Sequence, residues 1–114
     1  MTNQVTKFNA YREEMNAKIL AEDNKVIKRI FNLDTNAYKK GHLDVKTKEL
    51  LGLIASAVLR CDDCIKYHLI QCHEQGVKTD EMMEIFGVAN LVGGTIVIPH
   101  TRRALEFWEE LQTA

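Results

Sequence analysis

Leu50-Leu51-Gly52-Leu53-Ile54-Ala55-Ser56-Ala57-Val58-Leu59-Arg60-Cys61-Asp62-Asp63-Cys64-Ile65-Lys66-Tyr67-His68-Leu69-Ile70-Gln71-Cys72 holds both the helical signature of this chain and its chemistry. Ile54, Ala57, Cys61, Cys64, His68 and Cys72 recur at steps of three and four, the period of one helix face. On that pattern alone the helix never stops. Asp62-Asp63, however, is what the first turn of a fresh helix prefers. A break near Leu59-Arg60 would set Cys61 at a helix N-terminus, where amide dipoles favour a thiolate. Spacing leaves both readings open. In either, two thiols this close can bond reversibly, and His68 lies one turn beyond Cys64 as a base within reach of a thiol proton.

Outward from this segment the chain also reads as helix. Upstream, Val5, Phe8, Tyr11, Met15 and Ile19 form one stripe. Val26, Ile27, Ile30, Phe31 and Leu33 form a second, stopping near Gly41. Asp44 is a good N-cap for a third helix, with Leu50, Leu51, Leu53, Ile54, Ala57 and Val58 as its apolar face. Downstream, Gly76 closes the motif helix and Thr79-Asp80-Glu81 opens the next. Gly93-Gly94 marks a hinge or a close backbone approach. Thr95–Leu111 forms the last helix, with Pro99 near its start or at a kink. Ile96-Val97-Ile98 could be a short strand, but no second strand exists to pair with it. The expectation is an all-α fold, with residues 1–114 as a single domain.

Composition excludes several classes. Fifteen basic against sixteen acidic residues give a net charge of −1, so no basic field for nucleic acid forms. No apolar run approaches the roughly 18 residues of a membrane span, and Met1–Ala10 lacks a signal-peptide layout. Three cysteines are too few for a secreted disulfide scaffold, which points to a reducing, cytoplasmic setting. There a Cys-x-x-Cys pair is redox-active or metal-binding. Zinc is disfavoured because residues 61 and 72 would lie about 16 Å apart along one helix. No cofactor is expected. Cys72 reads as buried filler, His42 and His73 as surface residues, and His100 stays unassigned. Glu49, beside Leu53, reads from periodicity as a charge at the stripe's edge rather than a buried acid.

Gly41-His42-Leu43-Asp44-Val45-Lys46-Thr47-Lys48-Glu49-Leu50, followed by Cys61-x-x-Cys64-x-x-x-His68, resembles the carboxymuconolactone decarboxylase superfamily and, within it, the AhpD-like alkylhydroperoxidases. The likeness runs from about Asp23 to Leu111 and includes the Gly76-Val77-Lys78 turn and Gly93-Gly94. It implies a helical domain that oligomerises as trimers or hexamers. It also implies an enzyme, an antioxidant thiol peroxidase that reduces hydroperoxides and is recharged by a dithiol reductant protein. The catalytic residues carried over are Glu49, Cys61, Cys64 and His68, with Glu49 raised from edge charge to proton-relay residue. Cys64, with His68 its i+4 neighbour, is the expected nucleophile and Cys61 the resolving thiol; the alternative makes Cys61, as the thiol at a helix N-terminus, the nucleophile. Lactone decarboxylation and a non-catalytic redox switch are the alternatives. The chain departs from the pattern at Asp63, where members carry a histidine, and an anion there opposes thiolate formation.

Overall fold

The computed structural model describes residues 3–113. Six α-helices and one 3-10 turn account for the regular structure, and no strand occurs among the described residues. Ile96-Val97-Ile98 thus joins no sheet. The chain divides into two compact units, residues 1–39 and 40–114.

The first unit is a pair of helices, α1 (Gln4–Ala21) and α2 (Lys25–Ala37). Each starts on an asparagine. Asn3 accepts from the Thr6 N–H at 2.9 Å, and Asn24 from the Ile27 N–H at 3.0 Å. Between them Asp23 takes a left-handed φ of 58° and pairs with Lys28. The second helix ends at Ala37, four residues before the stop expected at Gly41. None of the residues in α1 or α2 is buried, although both carry the apolar stripes read from the sequence.

The second unit holds the core. Helix α3 (Val45–Val58) starts on Asp44, which accepts from the Thr47 N–H at 2.7 Å. The Thr47 hydroxyl first, and then this N–H, hold the Asp44 carboxyl below its ordinary value. Helices α4 (Asp62–Glu74), α5 (Thr79–Gly93) and α6 (Ile98–Thr113) follow, with a 3-10 turn over Thr95–Val97. Glu81 reaches back to the Lys78 N–H at 2.9 Å to open α5. Pro99 falls in the first turn of α6, where its missing N–H costs nothing. Helix α3 packs on α4 and α5, and α4 packs on α6. Trp108, Phe107, Phe86, Leu53, Ile65, Leu69, Met82 and Val97 fill the space between. Trp108 also donates to Thr79 Oγ1 at 2.9 Å, so its one polar atom is satisfied. Gly93 is a place of close approach: a Cβ there would lie 2.7 Å from Val97 Cγ2.

The ambiguous stretch resolves into two helices. After α3, Arg60 takes φ 60°. The Arg60 N–H bonds Ala57 O at 3.1 Å, and the Cys61 N–H bonds Ser56 O at 3.0 Å. This is a Schellman cap with arginine in the position glycine usually holds. The same cap closes α4, with Gly76 (φ 79°) bonding His73 O and Val77 bonding Cys72 O. Continuous helical spacing through residues 54–72 therefore hides a sharp turn. Cys61 ends one cap and begins the next helix.

Candidate active site

Cys61 is the N-cap of α4, and its Sγ accepts from the Cys64 N–H at 3.2 Å. Sulfur stands where a serine or aspartate oxygen would normally sit. A helix N-terminus aimed at one sulfur stabilises negative charge on it, so the α4 amides favour thiolate at Cys61. Cys61 and Cys64 are disulfide-bonded, with Cα atoms 5.2 Å apart. Cys64 is the exposed partner and Cys61 is half-buried.

One turn further along α4, His68 is buried and meets buried Glu49 of α3, Nδ1 to Oε1 at 2.8 Å. A carboxylate only accepts, so Nδ1–H donates to Glu49, which fixes the ring's orientation. Tyr67 lies edge-on to the imidazole, with ring centres 5.2 Å apart. Periodicity placed Glu49 at the edge of the α3 stripe, and the structure corrects this. The buried stripe of α3 is Glu49, Gly52, Leu53, Ser56 and Ala57, whereas Leu51 is half exposed. The carboxylate turns inward because an imidazole on the neighbouring helix supplies its hydrogen bond.

Cys72, one further turn along, is fully buried and stays a free thiol. Burial first, and then the charge of Glu49, push its pKa up to about 12. It is core filler, as its position suggested. His42 and His73 are exposed, though His73 rests edge-on against Trp108 at 5.7 Å.

Sequence reasoning missed a second polar cluster. Asp62, the first residue of α4, bonds His100 Nδ1 through Oδ1 at 2.7 Å and Arg103 Nε through Oδ2 at 3.0 Å. Burial opposes ionisation of Asp62. The hydrogen bond from His100 and the charge of Arg103 outweigh it and hold the carboxyl below its ordinary value. With Nδ1–H donating to Asp62, the Arg103 Nη2 contact to the same nitrogen at 3.3 Å joins two donors and is not a hydrogen bond. Nothing local announces this cluster, because His100 is 38 residues from Asp62. Among the described residues no group of three or more His, Cys, Asp and Glu could hold a metal ion. Nor is any helix among them long and apolar enough to cross a membrane.

The chain as a whole resembles several solved structures. The Thermotoga maritima protein TM1620 is 54% identical, superposes with a TM-score of 0.91, and 94% of each chain is covered. A second structure of that protein, 53% identical with a TM-score of 0.90 over 94% of this chain and 91% of that one, is described as a carboxymuconolactone decarboxylase family protein with a possible part in an antioxidative response. Apo-lpg0406 of Legionella pneumophila, described as a member of the same family, is 27% identical with a TM-score of 0.86, over 96% of this chain and 97% of that one. A Paracoccus denitrificans protein known as "Uncharacterized protein 4 in cox locus" is 27% identical over 77 residues, 68% of this chain and 69% of that protein. Residues 24–107, which run from the start of α2 into α6 and include Cys61, Cys64 and His68, match one family, and the chain belongs to the carboxymuconolactone decarboxylase family.

Proposed function

We propose that the protein is an AhpD-like thiol peroxidase that reduces hydroperoxides through Cys61 and Cys64. One observation carries this reading. A sulfur pair within bonding reach starts the same helix that holds His68, and His68 is fixed by buried Glu49. The antioxidative connection of the Thermotoga relative points the same way.

The division of labour follows from exposure and charge. Exposed Cys64 meets the peroxide, and His68, with Glu49 behind it, takes the thiol proton. The Cys64 thiolate attacks the terminal oxygen of ROOH. The O–O bond breaks, ROH leaves with a proton, and Cys64 becomes sulfenic acid. Cys61, whose thiolate the α4 amides favour, attacks that sulfur and releases water. The product is the Cys61–Cys64 disulfide. An external dithiol then attacks exposed Cys64, and Cys61 leaves as the better-stabilised thiolate. Each turnover converts one ROOH and one dithiol into ROH, water and a disulfide of the reductant.

The reductant is a dithiol protein of a reducing cytoplasm. The working form is a homo-oligomer, trimer or hexamer. Val26, Ile30 and Leu33 of α2 are 65%, 56% and 66% exposed in the single chain, more apolar surface than one short helix normally leaves in water. Sedimentation of the intact protein reads the oligomer directly.

The decisive experiment traps sulfenic acid with a dimedone-type probe after peroxide addition. Trapping is expected in Cys61→Ser and not in Cys64→Ser. The reverse pattern would exchange the two roles. Turnover of a carboxymuconolactone by the double Cys→Ser variant would replace the peroxidase reading with lactone decarboxylation.

A further inference from the structure

Asp62 stands between the two sulfurs in sequence, yet the peroxidase reading gives it no task. An anion beside a thiol normally raises the thiol's pKa and stabilises the disulfide. Here that anion is not free. Both of its oxygens are engaged by α6, Oδ1 by His100 at 2.7 Å and Oδ2 by Arg103 at 3.0 Å. His100 and Arg103 are one turn apart in the first two turns of α6 and so share a face. Asp62 is also the first residue of α4, next to the N-cap sulfur that receives the Cys64 N–H. Fixing Asp62 on α6 therefore fixes the turn that aims this amide at Cys61.

We propose that Asp62 is a positioning residue for the thiol pair: clamped to α6 by His100 and Arg103, it holds the first turn of α4, and the balance of its charge against Arg103 sets the reduction potential of Cys61–Cys64. The proposal rests on the redox cycling of the pair, not on peroxide as the oxidant. The half-reaction is the disulfide plus two electrons and two protons giving two thiols. Glutathione supplies both, becoming glutathione disulfide. Whatever stabilises the Cys61 thiolate favours the reduced form. The charged and titratable groups on the surrounding elements are Asp62, Asp63 and His68 on α4, Arg60 just before it, Glu49 on α3, and His100 and Arg103 on α6.

Charge and mere scaffolding make different predictions. Arg103→Met leaves the Asp62 carboxylate without its fixed cation, so the Cys61 thiolate is disfavoured and the disulfide gains. Asp62→Asn removes the anion and leaves Arg103 facing the turn, so the dithiol gains. Each is expected to move the Cys61 pKa by about half a unit to one unit, in opposite directions. In buffers above the Cys61 pKa, where the reduced form is thiolate, the equilibrium constant with glutathione then shifts by about three- to tenfold either way. If the cluster were only a brace, both variants would loosen the same N-cap and shift the equilibrium in the same direction.

The test equilibrates each variant in glutathione redox buffers. Alongside it, the pH dependence of alkylation gives the Cys61 pKa in a Cys64→Ser background. Opposite shifts, with the Asp62→Asn/Arg103→Met double variant near the parent, support the proposal. Shifts of the same sign, or none, overturn it. Arg103→Lys keeps the charge and is expected to stay near the parent potential, which guards against a folding defect in Arg103→Met. No peroxide enters the measurement, so a protein inactive on peroxide still tests the clamp. A pair that glutathione can neither oxidise nor reduce sinks the redox reading itself.

Discussion

Two histidines in this chain meet a carboxylate through Nδ1, at nearly the same distance. His68 meets Glu49 at 2.8 Å and His100 meets Asp62 at 2.7 Å. The surroundings differ sharply. The Glu49 and His68 side chains are 4% and 10% exposed, whereas Asp62 is 35% exposed and shares its carboxylate with Arg103, which is half in solvent. Equal geometry therefore does not mean equal energy. A buried pair loses heavily when one partner goes, because the other keeps its desolvation cost. The outer pair is only part-buried, with His100 16% exposed, so solvent screens it more and its removal costs less. In the proposed cycle the inner pair would serve both the fold and proton transfer, and the outer pair would act on the electrostatics of the thiols.

The comparison breaks most sharply at Glu49. Glu49→Ala is expected to destabilise the fold by about 2–4 kcal/mol in denaturant titrations. It should also lower peroxide turnover by about a hundredfold or more. Glu49→Gln, which keeps an acceptor oxygen and the volume, should recover much of the stability and little of the turnover. Equal losses in both measurements would make Glu49 a structural residue only.

Cys72 sharpens the inner region from the alkaline side. Its thiol is pushed from the usual value near 9 up to about 12, so the folded protein keeps a proton that the unfolded chain releases. Stability from this group is complete below about pH 9 and drains away as pH climbs towards 12. Cys72→Ala should flatten that decline. Native alkylation should leave Cys72 unlabelled until denaturant is added, and ready labelling at neutral pH would contradict its burial.

The smallest effect belongs to the outer pair. Asp62→Asn should change neutral-pH stability by less than about 1 kcal/mol. Because the folded carboxyl titrates below its ordinary value of 3.8, its contribution is present above that value and is lost as pH falls through the folded one. The gap between parent and variant denaturant midpoints should thus hold steady from neutral pH to about 4 and close below it. A gap as large as that of Glu49→Ala would erase the distinction between the two pairs.

The two Schellman caps show why part of the fold was legible and part was not. Gly76 was readable as a helix stop because glycine enters the left-handed region without steric cost. Arg60 makes the same turn at φ 60° and gives no local sign of it, since a non-glycine residue there costs on the order of 1 kcal/mol or more. Only the acidic pair Asp62-Asp63 hinted at the new helix. Glu49 shows the same limit. Apolar periodicity ranks a carboxylate as a surface charge unless its partner is known, and that partner lies nineteen residues away on another helix.

Local chemistry along the chain was enough to establish the helical character, the cap at Asp44 and the cysteine–histidine spacing, because propensity, capping and one-turn neighbours act over a few residues. Which carboxylate is buried, which sulfur receives the helix amide, and that Asp62 finds His100 and Arg103 were decided by tertiary packing. Those outcomes depend on desolvation and on charges brought together from distant positions, and neither exists until the helices have docked.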